Sequence, residues 1–176
     1  MNTVIYRSPS FVLKTLQDQG QFSGYASTHA IDHSNDRILP GAFSKTLDQW
    51  TCQRGRFPHI HFEHDAEEII GLCKRLQEDD HGLYVQGKLL LDLPKAQQAY
   101  FLLQRGLNGL SIGFFVLKAF SKGGVRHIQE LILKEVSFVK DPCNAEARVH
   151  EYKSGPFYHD PTLMAHIERL KRTLID

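Results

Sequence analysis

Hydrophobic positions along this chain follow two different periods, and the switches between them mark its elements. Over residues 69–77 and 83–91 apolar and polar side chains alternate, the period of a strand with one buried face, and the polar run Glu78-Asp79-Asp80-His81-Gly82 between them reads as a turn. The two segments predict a β-hairpin. Residues 11–25 alternate more loosely about Gly20 and predict an opening pair of strands, whereas 27–37 collects Ser, Thr, Asp, Asn and His and predicts an exposed loop. Pro40-Gly41 followed by Ala42, Phe43, Leu47 and Trp50 predicts a short helix, and residues 57–62 a short strand. The period then changes: Ala96, Ala99, Tyr100 and Leu103 fall at i, i+3, i+4 and i+7, with Pro94 at the start and Gly106 placed to end a helix over 94–104. Alternation returns over 110–120 and 125–139, around a Ser-Lys-Gly-Gly turn, and Asp141-Pro142 ends it. After a polar stretch, 152–160, the residues Leu163, Ile167, Leu170 and Leu174 predict a C-terminal amphipathic helix.

About seven strands with two or three helices predict an α+β, mainly β fold: a closed or nearly closed β-barrel with a few helices around it, since closure removes exposed strand edges. At 176 residues the chain fits one domain. The expected division is a barrel domain over 1–150 and, over 151–176, a linker with the C-terminal helix as a processed or docking tail. Composition adds exclusions: 41% hydrophobic and 23% charged residues rule out collagen-like, coiled-coil and wholly disordered chains. A net charge of +1 supplies no global field for nucleic acid or an acidic membrane surface. No apolar run approaches the roughly 18 residues of a membrane helix, and residues 1–10 lack a signal-type apolar stretch. Three cysteines, Cys52, Cys73 and Cys143, without a CxxC pair fit a reducing compartment such as the cytoplasm.

The densest chemistry is His59-Ile60-His61-Phe62-Glu63-His64-Asp65. On a strand His59 and His61 share a face, and His64 falls past the strand end, where a side chain is freer to enter a cleft. Three readings compete. The H-x-H-x-x-H spacing of His59, His61 and His64 resembles the metal motif of metallo-β-lactamase-type hydrolases; the three are surface or hydrogen-bonded histidines; or one of them is a general base, since imidazole exchanges a proton near neutral pH. A nucleophile is offered by Ser111, in a β segment with Gly109 and Gly113 two residues away on either side, leaving space over the hydroxyl; the competing reading is a serine that merely permits close packing. No helix follows Ser111, which sets it apart from a nucleophile elbow. Alternation over 131–139 puts Glu135 in one row with Leu131, Leu133, Ser137 and Val139, where a carboxylate needs a partner; either a histidine supplies one, or the strand turns Glu135 outward, or it pairs with neighbours of Lys134 or Arg126.

Read together, Pro40-Gly41-Ala42-Phe43, Phe62-Glu63-His64-Asp65, Ile70-Gly71, Gly82-Leu83-Tyr84-Val85, Leu110-Ser111-Ile112-Gly113-Phe114 and Leu133-Lys134-Glu135-Val136-Ser137-Phe138-Val139, ending at Pro142, resemble the prohead maturation protease family of tailed phages from about residue 24 to 147. The resemblance implies a serine endopeptidase related in fold to the herpesvirus assembly proteases. It puts the family's histidine on His64, its serine on Ser111 and its acid on Glu135, with no metal or cofactor. It further implies action inside the assembling prohead in the host cytoplasm, on scaffold or the scaffold-like segment of the major capsid protein and on itself; a homo-oligomer is left open, and the charge and hydropathy above argue against nucleic-acid and membrane partners. Runners-up are a non-catalytic scaffold-binding module and the zinc hydrolase of the histidine cluster. The sequence departs from the family pattern at Pro142-Cys143-Asn144-Ala145, where Pro-Ala-Asn-Pro is usual, and at His61, where a bulky apolar residue is common. Backbone donors for an oxyanion are expected, by position alone, in the loop 141–145.

Overall fold

Among residues 19–53 and 57–153, which the structure, a computed structural model, describes, the alternating segments form eight strands of one sheet. In chain order they are β1 (Gln21–Thr28), β2 (Asp36–Ile38), β3 (His59–Phe62), β4 (Asp65–Glu78), β5 (Gly82–Leu89), β6 (Gly109–Lys122), β7 (Val125–Val139) and β8 (Val149–Tyr152). Helix α1 (Ser44–Asp48) runs into a wider π turn (Gln49–Gln53), and α2 spans Pro94–Gln104. The long strand β7 organises the sheet. Antiparallel β6 lies along one edge of it, and on the other edge β2 and β3 follow one another as parallel neighbours of its first and last thirds. From β3 the sheet continues through antiparallel β4, β5, β1 and β8.

Alternation explains which face is inside. Leu83, Val85 and Leu89 on β5, Ile60 and Phe62 on β3, and Val136 and Phe138 on β7 are all buried, and full burial of each such side chain contributes about 1.5–3 kcal/mol. Helix α2 buries Ala96, Ala99, Tyr100 and Leu103, the residues its spacing predicts, against β3, β4 and β5. The first helix is tied to β7 by polar bonds: Leu133 N–H donates to the buried Thr46 hydroxyl at 3.0 Å, and Trp50 Nε1–H donates to the Leu133 carbonyl at 3.1 Å.

The fold is mainly β with few helices, but the hydrogen-bonded ladder does not close into a barrel. Its two ends, β6 and β8, meet only at an isolated bridge between Gly109 and Arg148, where Leu110 N–H donates to Ala147 C=O at 2.9 Å and Val149 N–H to Asn108 C=O at 2.8 Å. The chain between β7 and β8 carries Pro142, which has no N–H to donate, and turns on itself through Ala147 N–H to Asn144 C=O. Among the described residues, the backbone hydrogen bonds from this segment to β6 therefore come only from its last residues before β8.

The expected loop over 27–37 also loses both ends to strands. Ser27 and Thr28 are buried in β1, and Asp36, in β2, is buried because the Arg126 guanidinium neutralises it from β7. The expected boundary at residue 150 falls within β8, which pairs with β1. Most of the first expected strand of the opening pair, and the whole C-terminal helix, lie outside the described residues.

Candidate active site

The β3–β4 connection is a two-residue turn, since Phe62 and Asp65 pair across it. Its central residues, Glu63 (φ 52°) and His64 (φ 62°), both lie in the left-handed region. That is the backbone of a type I′ hairpin turn, and it costs a non-glycine residue about 1–3 kcal/mol. Two bonds to the end of β7 hold it: Glu63 N–H donates to Phe138 C=O at 2.9 Å, and Lys140 N–H donates to Glu63 Oε1 at 3.1 Å. The His64 imidazole is thereby directed back over the sheet, with Nδ1 2.7 Å from Glu135 Oε1. His64 remains 46% exposed and Glu135 17%. The hydrogen bond to Glu135 raises the imidazole above its ordinary range, partial burial opposes it, and the charges of Glu135 and Glu63 add to the rise.

Glu135 does not sit in the row with Leu131 and Leu133. Gly113 opposes Glu135, yet the next residue of β6, Phe114, opposes Leu133, so Lys134 is left over as a bulge. The buried row of β7 accordingly steps from Leu131 and Leu133 to Val136 and Phe138, and Glu135 and Ser137 are turned to the opposite face. There Ser111 lies directly across from Ser137, and Gly113 directly across from Glu135, so the four positions share one face of the β6–β7 ladder.

Gly113 has a use that differs from the expected one. A Cβ built there would stand 2.4 Å from Glu135 Oε1, so the space is filled by the carboxylate rather than left open over the serine. Ser137, which is wholly buried, donates its hydroxyl to Glu135 Oε2 at 2.5 Å. Sequence reasoning assigned it no part; its place two residues from Glu135 on one strand was the available signal. Ser111 is half-buried, and its hydroxyl makes no hydrogen bond among the described residues. It lines a small cavity of about 40 Å³ together with Ile112, Phe114, Cys143 and Asn144.

His59 and His61 do not converge on His64. Their rings are 6.5 Å apart, the His61 Nδ1 lies 3.0 Å from the Asp65 carbonyl oxygen, and His64 is engaged by Glu135. Among the described residues no three His, Cys, Asp or Glu side chains are grouped to hold a metal ion.

Comparison with known proteins gives this arrangement its context. The family model described as Caudovirus prohead serine protease matches residues 10–158. The chain belongs to that family. Within the prohead protease family it is 35% identical over 144 residues to the prohead protease of Enterobacteria phage HK97, covering 77% of this chain and 61% of that protein. To the prohead protease of Escherichia phage T5 it is 31% identical over 134 residues, covering 74% and 62%. The chain thus spans about three-fifths of the length of these curated relatives. Among solved structures, the bacteriophage T4 capsid assembly protease superposes with a TM-score of 0.56 at 10% identity, over 68% of this chain and 80% of that one, a likeness of fold alone. A KSHV protease reaches a TM-score of only 0.43, too low to bear on the expected relation to the herpesvirus enzymes.

Proposed function

We propose that the protein is a serine endopeptidase of phage capsid maturation, with Ser111 as nucleophile, His64 as general base and Glu135 as the group that orients His64. The observation that carries this reading is the 2.7 Å contact between His64 Nδ1 and Glu135 Oε1, the carboxylate that shares one face of the β6–β7 ladder with Ser111. With Nδ1–H donated to the carboxylate, Nε2 is the free basic nitrogen. It removes the Ser111 proton as Oγ attacks the scissile carbonyl, then returns that proton to the leaving amine as the C–N bond breaks. A water, deprotonated by the same nitrogen, then hydrolyses the acyl-enzyme and frees Ser111.

Negative charge on the carbonyl oxygen needs backbone donors. The loop 141–145 is supported as their source because Cys143 and Asn144 line the cavity beside Ser111. The substrates in this reading are scaffold or the scaffold-like segment of the major capsid protein, and the chain itself, cut inside the prohead in the host cytoplasm. His61 shares the Ser137–Ser111 row across β3, β7 and β6, but its Nδ1 faces the neutral Asp65 carbonyl, which brings no charge to stabilise an imidazolium. The reading therefore takes His64, paired with the Glu135 carboxylate, as the base.

Co-expression with the capsid protein of the same genome, followed by intact-mass measurement, tests the reading. A defined mass loss from the capsid protein is expected, which Ser111→Ala and His64→Ala abolish and His59→Ala and His61→Ala largely leave, together with labelling of Ser111 by a serine-directed phosphonate. Co-purification with no mass change would instead favour a scaffold-binding module. Chelator-sensitive cleavage lost equally in all three histidine variants would favour a zinc hydrolase.

A further inference from the structure

We propose that Ser137 is a positioning residue, whose buried hydroxyl holds one oxygen of the Glu135 carboxylate so that the other is presented to His64. This inference rests on the reading of His64 as the base. Ser137 is itself unsuited to be a nucleophile, because it is fully buried and its single hydroxyl proton is already donated to Glu135 Oε2. The need for such a donor follows from the geometry of the acid. The last torsion of a glutamate is soft and roughly two-fold, so one hydrogen bond to His64 leaves the plane of the carboxylate free to turn. Two donors on two different oxygens fix that plane, and here they are His64 Nδ1 on Oε1 and Ser137 Oγ on Oε2.

The partner on the third side is Gly113, which offers no side chain and lets the carboxylate lie against the β6 backbone. Because Glu135 is largely covered, an Oε2 deprived of Ser137 would have to turn toward water or toward the imidazole. Either motion moves Nε2 relative to Ser111. The register strengthens the case: Ser137 stands directly opposite Ser111, so the nucleophile and the group that fixes the acid are held by one pair of backbone positions.

The test uses the full chain and four variants, Ser137→Ala, Ser137→Thr, His64→Ala and Ser111→Ala, read by cleavage kinetics and by the proton resonance of the His64 Nδ1–H, which a carboxylate partner moves far downfield. Ser137→Ala is expected to retain its thermal transition, to lose about tenfold in kcat with KM within about twofold, and to shift or broaden that resonance. Ser137→Thr, which keeps the hydroxyl, is expected to restore both signals. Wild-type kcat with an unchanged resonance in Ser137→Ala would overturn the proposal, as would equal losses of kcat in the Ala and Thr variants with the resonance unmoved. The resonance separates the two readings. If Ser111→Ala cleaves as well as wild type, Ser111 is not the nucleophile and the serine-endopeptidase reading fails, while a signal that moves in Ser137→Ala and returns in Ser137→Thr still supports the positioning role.

Discussion

Gly113→Ala perturbs the site while leaving the fold intact, and its effect can be worked from distances. The new Cβ would lie 2.4 Å from Glu135 Oε1 and 3.1 Å from both Cγ and Cδ. The near limit of ordinary carbon–oxygen contact is about 3.3 Å, so Oε1 must retreat by roughly 0.9 Å. His64 cannot simply follow, because its backbone is held in the two-residue turn by the bonds from Glu63 to Phe138 and Lys140. To the extent that this retreat carries Oε1 away from the imidazole, the present 2.7 Å contact opens, up to about 3.6 Å, which is no longer a hydrogen bond. Loss of a bond to a charged group removes about 1.5–3 kcal/mol of orientation, or roughly tenfold to a hundredfold in kcat/KM. Folding is affected far less, since the clash is with the movable end of a side chain. The assay is the rate of capsid-protein cleavage by mass spectrometry beside thermal unfolding of the same preparation. Wild-type kcat/KM in Gly113→Ala, with the His64 Nδ1–H resonance unshifted, would refute the argument that Glu135 must occupy this space.

Activity is expected to fall as pH drops through the His64 pKa, which lies above its usual value of about 6.5 because of the Glu135 hydrogen bond, and Glu135→Gln is expected to move that limb of the pH–rate profile to lower pH. The same shift makes a stability statement. With the folded pKa raised, the His64–Glu135 contribution is fully present below about 6.5 and lost as pH rises through the folded value, so His64→Ala should cost more in urea unfolding at the acid end of that window than above it. Thr46→Val should cost about 1–3 kcal/mol in urea unfolding, because it orphans the buried Leu133 N–H, and an unchanged midpoint would show that this bond is dispensable. Iodoacetamide is expected to modify the exposed Cys143 well before Cys73, whose thiol is pushed up to about 12 by burial, with the Glu135 charge adding; peptide mapping of a time course gives the order.

What the sequence made legible was what is local and strictly periodic. Helix α2 and the β4–β5 hairpin follow from spacing because each satisfies its backbone within itself or with its neighbour in the chain. Strands β2 and β8 were missed because they are three and four residues long and polar in composition, and their formation depends on distant partners: Asp36 on Arg126, and Val149 on Asn108. His64 was legible as the histidine beyond the end of β3, but the left-handed backbone at Glu63 and His64 was not. Neither residue type advertises a type I′ turn, and the bonds that hold it come from residues 138 and 140. Glu135 was legible as a carboxylate needing a partner, and its face was misjudged for a clear reason. Alternation counted straight through from Leu131 to Val139 puts Glu135 in the buried row, whereas the apolar positions change parity across Lys134-Glu135, and that change is the trace the extruded Lys134 leaves in the letters.

That extruded residue connects the fold to the site. Without a bulge, strict alternation would force a choice between burying Leu131 and Leu133 and burying Val136 and Phe138, since the two pairs fall on opposite parities of the strand. One extra residue at Lys134 lets β7 bury both pairs, all four side chains at no more than 1% exposure. The same displacement sends Glu135 and Ser137 out to the face where Ser111 and Gly113 wait on β6. The hydrophobic requirement of the core therefore fixes where the acid points, and the acid in turn fixes His64 through a turn whose strain the end of β7 holds in place. A single strand thus supplies the buried rows, the carboxylate, the hydroxyl beside it and the carbonyl that holds the histidine turn. The relative placement of these groups follows from one backbone instead of from the docking of separate loops.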